Sequence, residues 1–368
     1  MNEKQLFSRN LKAARKKLNL SQAQLAQMLS YSDKAVSKWE SGTVLPPSDI
    51  LPLLAKTLKT DINNLFDFRS ESVYFLGIDG GGTKTEFLLT NEKNETIRKL
   101  TLSSSNPTSV GIEESANVFY RGIVEICGNI PLGEVSVFIG AAGCGIEQNK
   151  NEIHKRLSRL GLSALNIDSD VKNIIAAGLG GQDGVVCIMG TGSIIYTSCE
   201  NVFHRIGGYG HFIGDTFSGS ELGRAALEAV FSALDKSGPK TLLCEKITKE
   251  LGSDISKILS DMYGAGKTYM ASLAHYVFEA AEEGDAVAAD ILNRNIKRFG
   301  RQLSAALSFL PKGKPHKVVL AGGITTYFDK FINKLKNEIT ADNLEAITVL
   351  NKEPVMGAVM LAKEYKNA

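Results

Sequence analysis

FLGIDGGGTKTEFLLT, residues 75–90, is a predicted strand with an acid at its tip, followed by three glycines, a threonine, a lysine and a second predicted strand. Phosphate binds where backbone N–H groups point at it without side chains in the way, and glycines in a hairpin turn provide such groups. An acid at a strand tip can hold Mg²⁺ through water. We therefore predict that Asp79 holds Mg²⁺ in this way and that the turn binds ATP phosphates. The predicted phosphate-binding residues of the turn are Gly80, Gly81, Gly82, Thr83 and Lys84.

The second half of the chain repeats this arrangement. Three strand-like runs and a helix-like run follow each other from Val73, and a similar order restarts near Gly184 with GVVCIMG, SIIYTS and NVFHRIG. Such an order indicates an internally duplicated α/β protein. A second glycine turn lies at the corresponding place, so the two hairpins would face each other across a cleft and hold ATP phosphates from both sides. Its predicted phosphate-binding residues are Gly190, Thr191, Gly192 and Ser193.

Two other nucleotide-binding motifs do not fit the sequence. A dinucleotide-binding turn requires its glycines to run into a helix, whereas residues 85–90 have the pattern of a strand. Residues 264–268, GAGKT, resemble part of a P-loop, but the position of its first glycine is Asp261 and no predicted strand precedes it. We interpret this segment as a loop beside a helix.

The composition is that of a globular protein. The chain has 368 residues, of which 43% are hydrophobic and 22% charged, enough for two or three domains. No apolar run reaches the roughly 18 residues that span a bilayer, and the start, MNEKQLFSRNLKAARKK, lacks the apolar region of a signal peptide. The five cysteines form no C-x-x-C pair, which favours buried free thiols in a reducing compartment. We therefore expect a cytoplasmic protein without a membrane partner.

Positive charge is concentrated at the front of the chain. Residues 1–68 contain ten basic and six acidic side chains. The whole chain contains 42 basic and 40 acidic side chains, so the remainder is slightly acidic. Only the front segment has the charge of a domain that meets a polyanion.

The front segment has the pattern of several short helices. Ser21 is a predicted N-cap, a second helix covers residues 33–40, and Ser48 is the predicted cap of a further helix after two prolines. Apolar residues at helical spacing face inward and leave a polar, cationic face on the helix of residues 33–40. The predicted inward residues are Leu25, Met28, Leu29, Ala35, Val36, Trp39, Ile50, Leu53, Leu54 and Leu58.

Residues 1–66 resemble the phage-repressor (Xre) type of helix-turn-helix domain, most closely in SQAQLAQ and VSKWESG. The resemblance implies a homodimer that binds double-stranded DNA, with the helix from Asp33 in the major groove. The alternative is a helical bundle that only packs against the rest of the chain. The residues that the resemblance places near bases or phosphates are Gln22, Asp33, Lys34, Ser37 and Lys38.

Seven segments of the remaining chain occur in the order GIDGGGTKTE, SSNPTSVGI, DSDVKNIIAAGLGGQDGVVCIMGTGS, GGYGHFIGD, EAAEEGDAVAADIL, VVLAGGI and PVMGAVMLA. In this order they resemble the N-acetylglucosamine kinase (BadF/BadG/BcrA/BcrD ATPase) family of the actin, hexokinase and Hsp70 superfamily. The resemblance implies an α/β, bilobal actin-like ATPase fold, which is a duplicated ribonuclease H-like fold, behind the small all-α domain. The predicted boundaries are 1–66 for the helix-turn-helix domain, 67–72 for a linker, 73–184 for the first lobe with a returning helix at 355–368, and 185–354 for the second lobe.

The resemblance also implies roles for individual residues in phosphoryl transfer from ATP to an amino sugar between the lobes. Asp170 matches the catalytic base that accepts the proton of the sugar hydroxyl. Without the resemblance, Asp170 would be interpreted as the N-cap of the helix that follows it. Gly322 and Gly323, after the strand KVVLA, are predicted to contact adenosine. The residues that match amino-sugar positions are Asn106, Thr191, Gly192, Gly208 and Asp215.

The chain departs from the family pattern near the predicted sugar site. Where many relatives have an acid in AGxD, this chain has Gly145, and where the family often reads GDEGS, it has Thr216 and Phe217. Ile194 stands where some relatives place a sugar-binding asparagine. Because a site built to hydrogen-bond one group rejects analogues that lack it, these changes could alter sugar choice or weaken catalysis.

Two functions fit these observations. The first is a Mg²⁺- and ATP-dependent kinase of an amino sugar such as N-acetylglucosamine, with Asp170 as base, fused to a DNA-binding domain so that the whole chain is a sugar-responsive transcriptional regulator. The second is a catalytically weak or inactive sensor of sugar or ATP that acts only as a transcriptional regulator, in which lobe closure alters the geometry of paired DNA-binding domains. A different branch, the dehydratase activators, needs thiolates for an iron–sulfur cluster between subunits, and neither Cys127 nor Cys144 lies in a motif for it.

Overall fold

The computed structural model describes residues 3–18, 20–66, 73–200, 202–252 and 254–367. The predicted linker, residues 67–72, lies outside these ranges. A group of helices precedes the linker and two five-stranded sheets follow it. Among the described residues, no helix is both long and apolar enough to cross a membrane.

The front segment folds around an apolar core of its own. Phe7, Leu25, Val36, Trp39 and Leu54 lie in this core, and none is more than 4% exposed. A short 3₁₀ turn at Ser48–Ile50 precedes its fourth helix. The helices of this segment are α1 (Glu3–Lys17), α2 (Gln22–Leu29), α3 (Asp33–Glu40), α4 (Leu51–Thr57) and α5 (Ile62–Leu65).

Ser21 begins α2 as the sequence predicts, with a reciprocal pair of hydrogen bonds between Ser21 and Gln24. Two predicted inward residues are wrong, because Met28 is 55% exposed and Leu53 is 43% exposed. The short α2 buries a narrower face than its apolar pattern suggests. Ser48 begins the 3₁₀ turn instead of capping α4. The inward face of α4 consists of Leu51, Leu54, Ala55 and Leu58 at helical spacing, which leaves Leu53 on the outside.

A buried ion pair joins α1 to the end of α3. Arg15 Nε donates to Glu40 Oε1 at 2.5 Å and Nη2 donates to Oε2 at 2.9 Å. Burial acts to raise the pKa of Glu40, but hydrogen bonds from Arg15 and Gln22 hold that pKa below its usual value. Loss of either partner would leave a buried charge unpaired, which is strongly destabilising. The pair therefore holds the end of α3 against α1.

The first sheet combines a hairpin meander with parallel strands. Its order is β3-β2-β1-β4-β5, with β1 antiparallel to β2, β2 antiparallel to β3, and β1, β4 and β5 parallel. Because parallel strands end at the same edge, the tips of β1, β4 and β5 lie side by side. Its strands are β1 (Tyr74–Gly80), β2 (Lys84–Asn91), β3 (Thr96–Ser103), β4 (Val135–Ala141) and β5 (Ala164–Asp168).

The second sheet repeats the topology of the first. Its order is β10-β9-β6-β7-β8, again with an antiparallel meander of the first three strands and two further parallel strands. The internal duplication predicted from the sequence is therefore confirmed at the level of strand order and direction. Its strands are β6 (Gly184–Met189), β7 (Ser193–Cys199), β8 (Val202–Gly207), β9 (His316–Ala321) and β10 (Leu344–Val349).

Helices pack around both sheets. The prediction of a loop at GAGKT is wrong, because the segment spans the end of one helix and the start of the next, with only Gly266, at φ +56°, between them. The helices beyond the linker are α6 (Pro107–Val110), α7 (Ile112–Cys127), α8 (Glu147–Leu157), α9 (Asp170–Leu179), α10 (Gly219–Leu234), α11 (Leu242–Leu251), α12 (Ile255–Ala265), α13 (Lys267–Ser272), α14 (Ala274–Glu282), α15 (Ala286–Leu307), α16 (Phe328–Asn337) and α17 (Pro354–Glu364).

Helix α17 follows the second sheet in sequence but packs against the first sheet and α9. Glycines permit backbone contact at this junction, because a Cβ on Gly77 would lie 2.4 Å from Val359 N and a Cβ on Gly357 would lie 1.9 Å from Asn173 O. Ser136 Oγ also donates to Ala362 O at 2.6 Å. The helix is therefore held against the first sheet by both packing and hydrogen bonding.

All five cysteines are free thiols. Cys127 and Cys144 are fully buried, and burial raises the pKa of Cys127 to about 11 and that of Cys144 to about 12. Thiols with such pKa values stay protonated near neutral pH and are poor metal ligands. Their burial therefore argues against the iron–sulfur alternative.

Substitution of Gly357 by alanine should destabilise the protein by about 1–3 kcal/mol, because the added methyl group meets backbone atoms of α9. Gly264→Ala is the matched control, since that helical glycine has nothing within 4 Å of an added Cβ. The control should be neutral or gain up to about 1 kcal/mol from helix propensity. Urea unfolding of both variants measures the difference, and equal stabilities would contradict the proposed tight contact.

Candidate functional site

The first glycine turn is a tight hairpin at the tips of β1 and β2. Gly81 N donates to Lys84 O at 2.9 Å, and Ser104 Oγ donates to Gly81 O at 3.1 Å. A Cβ on Gly82 would meet nothing within 4 Å, so its backbone stands open to an incoming group. Lys84 Nζ pairs with Glu86 at 2.7 Å on the exposed side of the turn. The turn has the open backbone that phosphate binding requires.

Asp79 lies half-buried at the end of β1, beside this turn. Asn173 Nδ2 donates to Asp79 Oδ1 at 2.7 Å. Burial raises the pKa of Asp79 to about 6; the Asn173 hydrogen bond opposes the shift, and the charges of Asp170 and Glu86 add to it. A bound cation would offset the cost of burying the charged Asp79 carboxylate and would reduce its repulsion by Asp170 and Glu86.

The second glycine turn lies between β6 and β7 and is held by α10. Gly190 N donates to Gly192 O at 2.9 Å, and Gly219 N, at the start of α10, donates to Gly190 O at 2.8 Å. Ser220 N donates to Thr191 O at 3.1 Å. The turn is therefore anchored to the second half of the molecule, as the first turn is to the first half.

Asp170 is the first residue of α9, immediately after the tip of β5. Ser169, not Asp170, is the N-cap of the helix, since its side chain accepts from Val171 N. Asp170 Oδ1 accepts from Ser169 Oγ at 3.0 Å and from Val171 N at 3.1 Å. Its other oxygen, Oδ2, has no hydrogen-bond partner in the part of the chain that the structure describes. Hydrogen bonds at the start of α9 therefore use only one of the two carboxylate oxygens of Asp170.

Asn106 is the N-cap of α6. Its Oδ1 accepts from Thr108 N at 3.0 Å and from Thr108 Oγ1 at 2.7 Å. A Cβ on Gly143 would lie 2.7 Å from the same oxygen, so the loop after β4 passes directly over it. This arrangement fixes the amide plane and leaves Nδ2 as the group able to donate to a ligand.

Asp215 and Gly208 flank the second glycine turn. Asp215 is 6% exposed, and a Cβ on Gly192 would lie 2.7 Å from Asp215 Oδ2. A Cβ on Gly208 would lie 2.5 Å from the side chain of Ile194, so Ile194 covers that glycine. The structure thus brings Gly192 and Asp215 together, and it places the departure at Ile194 beside Gly208.

Phe217 is a core residue, whereas its position in the family motif suggested a residue of the sugar site. Its side chain is fully buried and contacts the rings of Phe299 and Phe331, with centroids 5.8 and 5.0 Å away. Its backbone has φ +61°, an unusual conformation for a non-glycine residue that the aromatic packing stabilises. Thr216 is 3% exposed and its carbonyl accepts from Ser193 Oγ at 2.7 Å. These two residues anchor the loop of Asp215 to the core.

A cavity of about 460 Å³ adjoins the second glycine turn, a size typical of small-molecule sites. Gly190, Thr191 and Gly323 line one part of it, and the aromatic residues His275 and Tyr327 line another. Sequence reasoning predicted the glycines and missed both aromatic residues, which lie in helical segments without a recognisable motif.

Gly322 brings the loop after β9 against β6. It has φ +98°, and a Cβ there would lie 2.5 Å from Met189 O. This position requires glycine for both its backbone conformation and its close contact. Gly322 therefore shapes the cavity, whereas Gly323 lines it.

The predicted DNA-contacting side chains of α3 all point outward. Asp33, Lys34, Ser37 and Lys38 are exposed, while Val36 and Trp39 on the opposite face are buried. The helix therefore presents a polar surface with two lysines.

The side chain of Gln22, which the resemblance places near bases or phosphates, is already hydrogen-bonded inside the domain. Its Nε2 donates to Glu40 Oε2 at 2.8 Å and is thereby part of the buried ion-pair network of Arg15. Its carbonyl oxygen and its second Nε2 hydrogen remain to meet a ligand without loss of this bond.

The sequence profile of the BadF/BadG/BcrA/BcrD ATPase family matches residues 76–362. The chain belongs to the BadF/BadG/BcrA/BcrD ATPase family. This membership confirms the resemblance read from the seven ordered segments. A helix-turn-helix profile matches residues 11–65, which confirms the second resemblance.

Curated relatives of this family member are sugar kinases by name. The N-acetylmuramic acid/N-acetylglucosamine kinase of Clostridium acetobutylicum is 30% identical over 301 residues, covering 79% of this chain and 98% of the relative. The N-acetyl-D-glucosamine kinase of Dictyostelium discoideum is 29% identical over 323 residues, again covering 79% and 98%. The match spans nearly the whole of each relative, so the helix-turn-helix segment is additional to their shared region.

Solved structures confirm the predicted actin-like fold of this ATPase-family chain. A candidate N-acetylglucosamine kinase from Chromobacterium violaceum superposes with a TM-score of 0.63 at 22% identity, covering 79% of this chain and 99% of that chain. Another from Porphyromonas gingivalis gives 0.60 at 19% identity, covering 80% and 99%. At these identities the likeness concerns the fold alone.

Asp79→Asn should stabilise the ligand-free protein at pH 8. Because the folded protein raises the pKa of Asp79 from 3.8 to about 6, the carboxyl favours folding at low pH, and that contribution is lost as pH rises through 6. Asparagine stays neutral, so the variant should gain about 1–2 kcal/mol at pH 8, allowing for partial exposure. Thermal melts at pH 8 and near pH 4 measure this, and a gain of equal size at both pH values would contradict it.

Proposed function

We propose that the chain is an ATP- and Mg²⁺-dependent N-acetylhexosamine kinase fused to a sugar-responsive DNA-binding domain. The observation that carries this proposal is the placement of Asp79 at the tip of β1 and of Asp170 just after β5, at the same edge of the first sheet and beside an open glycine turn. The named activities of the curated relatives support the same reaction class. An N-acetylated amino sugar is the proposed substrate.

The residues present suit Mg²⁺–ATP. Mg²⁺ prefers oxygen ligands and is often held by one or two carboxylates together with substrate phosphates. Asp79 supplies such a carboxylate, and among the described residues no group of three or more His, Cys, Asp or Glu side chains forms an all-protein metal cage. When bound, Mg²⁺ would neutralise charge on the phosphates. The cavity beside Gly323 would receive the adenosine.

Phosphoryl transfer requires positioning, charge neutralisation and an acceptor for the hydroxyl proton. In the proposed mechanism Asp170 accepts this proton through Oδ2, while hydrogen bonds from Ser169 and Val171 hold Oδ1 in place. Asn106 Nδ2 and the Asp215 carboxylate orient the sugar. The two glycine turns bind the phosphates through backbone N–H groups.

Asp170→Asn should lower kcat by about 100- to 10,000-fold, since the amide cannot accept the proton. ADP release by the full-length protein measures this with Mg²⁺–ATP and N-acetylglucosamine, N-acetylmuramic acid, N-acetylmannosamine, glucosamine and glucose. Turnover on one sugar, lost in the variant, supports the kinase. Equal turnover by the variant would exclude Asp170 as the base.

The alternative is a sensor with little or no turnover, favoured by Gly145 and Ile194 near the sugar site. In that case no sugar would release ADP, but a sugar or ATP would still raise the melting temperature. DNA affinity would then depend on the sugar even in Asp170→Asn. Absence of thermal stabilisation by every sugar and by ATP would contradict both the kinase and the sensor.

The proposed DNA-binding domain acts as part of a homodimer, which would present two α3 helices to successive half-sites. The proposed location is the cytoplasm, where ATP is available. Analytical ultracentrifugation of the full chain tests for the proposed homodimer, and a purely monomeric chain would contradict it.

Lys34→Ala and Lys38→Ala should each weaken binding to a mixed-sequence DNA duplex and reduce the slope of log K against log salt by about one. Both side chains are exposed on the outer face of α3. Lys56→Ala on α4 is the charge-matched control. Fluorescence anisotropy across a salt series measures the affinities, and an equal loss in all three variants would contradict a specific role for α3.

A further inference from the structure

Asn173 lies one helical turn after Asp170 on α9, and its side chain is fully buried. Its Nδ2 faces three oxygens at once: Asp79 Oδ1 at 2.7 Å, Gly140 O at 3.0 Å and Ile78 O at 3.3 Å. Gly140 and Ile78 belong to β4 and β1. One amide thus connects α9 to the ends of two parallel strands and to the Asp79 carboxylate.

The surroundings decide the orientation of this amide. All three neighbours of Nδ2 are acceptors, so the amino group must face them. Oδ1 is buried and has no hydrogen-bond partner among the described residues. An unpaired buried carbonyl is unfavourable, and native proteins retain few such groups. The side chain of Asn173 therefore keeps its contact with Asp79 although its own carbonyl oxygen, Oδ1, lacks a hydrogen-bond partner among the described residues.

Close packing prevents Asn173 from moving away. A Cβ on Gly140 would lie 2.0 Å from Asn173 Oδ1, and a Cβ on Gly357 would lie 1.9 Å from Asn173 O. The side chain is thus pressed against β4 and the backbone against α17. Glycine at both positions allows the approach that brings Nδ2 to the strand tips.

We propose that Asn173 is a positioning residue that holds the Asp79 carboxylate for Mg²⁺–nucleotide and fixes its location relative to Asp170. This inference rests on the proposed kinase function. Asp79 Oδ1 is the nearest of the three acceptors, and hydrogen bonds to a carboxylate are stronger than those to neutral carbonyls. Asp170 and Asn173 both lie in the first turns of α9. The same helix therefore positions the Asp170 carboxylate directly and the Asp79 carboxylate through Asn173.

A purely structural asparagine would tie α9 to the sheet without influencing the nucleotide. Calorimetry of ADP binding with and without Mg²⁺ separates the two roles, because the ratio of these affinities isolates the contribution of the metal. In Asn173→Ala the Mg²⁺-dependent gain in ADP affinity should fall about tenfold, the scale on which partners of metal-binding groups act. ADP affinity without Mg²⁺ should change little.

Asn343→Ala is the matched control. Asn343 is also buried, at 5% exposure, and its Nδ2 donates to a backbone carbonyl, Leu307 O, at 3.0 Å, in the second half of the molecule. This variant should lose stability but keep the full Mg²⁺-dependent gain. Asn173→Ser provides a second variant if the alanine variant does not fold; its hydroxyl is one bond too short to replace Nδ2 beside Asp79, so the Mg²⁺-dependent gain should fall in the same way.

A double-mutant cycle with Asp79→Asn tests whether Asn173 acts through Asp79. If it does, adding Asn173→Ala to Asp79→Asn should cause no further loss of the Mg²⁺-dependent gain. A full wild-type gain in Asn173→Ala, or an additive loss in the cycle, would overturn the proposal. Absence of Mg²⁺-dependent ADP binding in the wild type would instead refute the proposed function, and with it this role of Asn173.

Discussion

The close approach of α9 to the first sheet and to α17 is the constraint on which the site depends. Glycines at positions 140 and 357 remove side chains from this junction, so that the Asn173 side chain of α9 lies directly on the β4 backbone and the backbones of α9 and α17 meet. Protein interiors packed this tightly do not deform continuously. The start of α9, with Asp170, is therefore held at a fixed place beside the tip of β1, with Asp79.

The second half uses the same strand topology with different supports. Its glycine turn is tied to the start of α10 by Gly219 and Ser220, and the adjoining loop is anchored by the buried ring of Phe217. Each half thus presents an open backbone turn on a rigid base. Rigid supports of this kind suit phosphoryl transfer, in which positioning and charge neutralisation make the largest contributions.

Much of this arrangement could be predicted from the sequence because it is local. The two glycine turns, the strand-tip acid Asp79 and the helix caps all depend on short patterns. Asn173, His275 and Phe217 could not be interpreted in this way, because their roles arise from contacts with residues far away in the chain. Phe217 shows the limit most clearly, since a departure from a family motif turned out to be a core residue.

Phosphorus NMR of the full-length protein with Mg²⁺, ATP and a mixture of N-acetylated amino sugars tests the central claim most directly, because it identifies the acceptor of the phosphoryl group. The kinase account predicts a sugar phosphate ester signal that grows in step with ADP. Formation of inorganic phosphate alone, or ATP that remains intact, would contradict it.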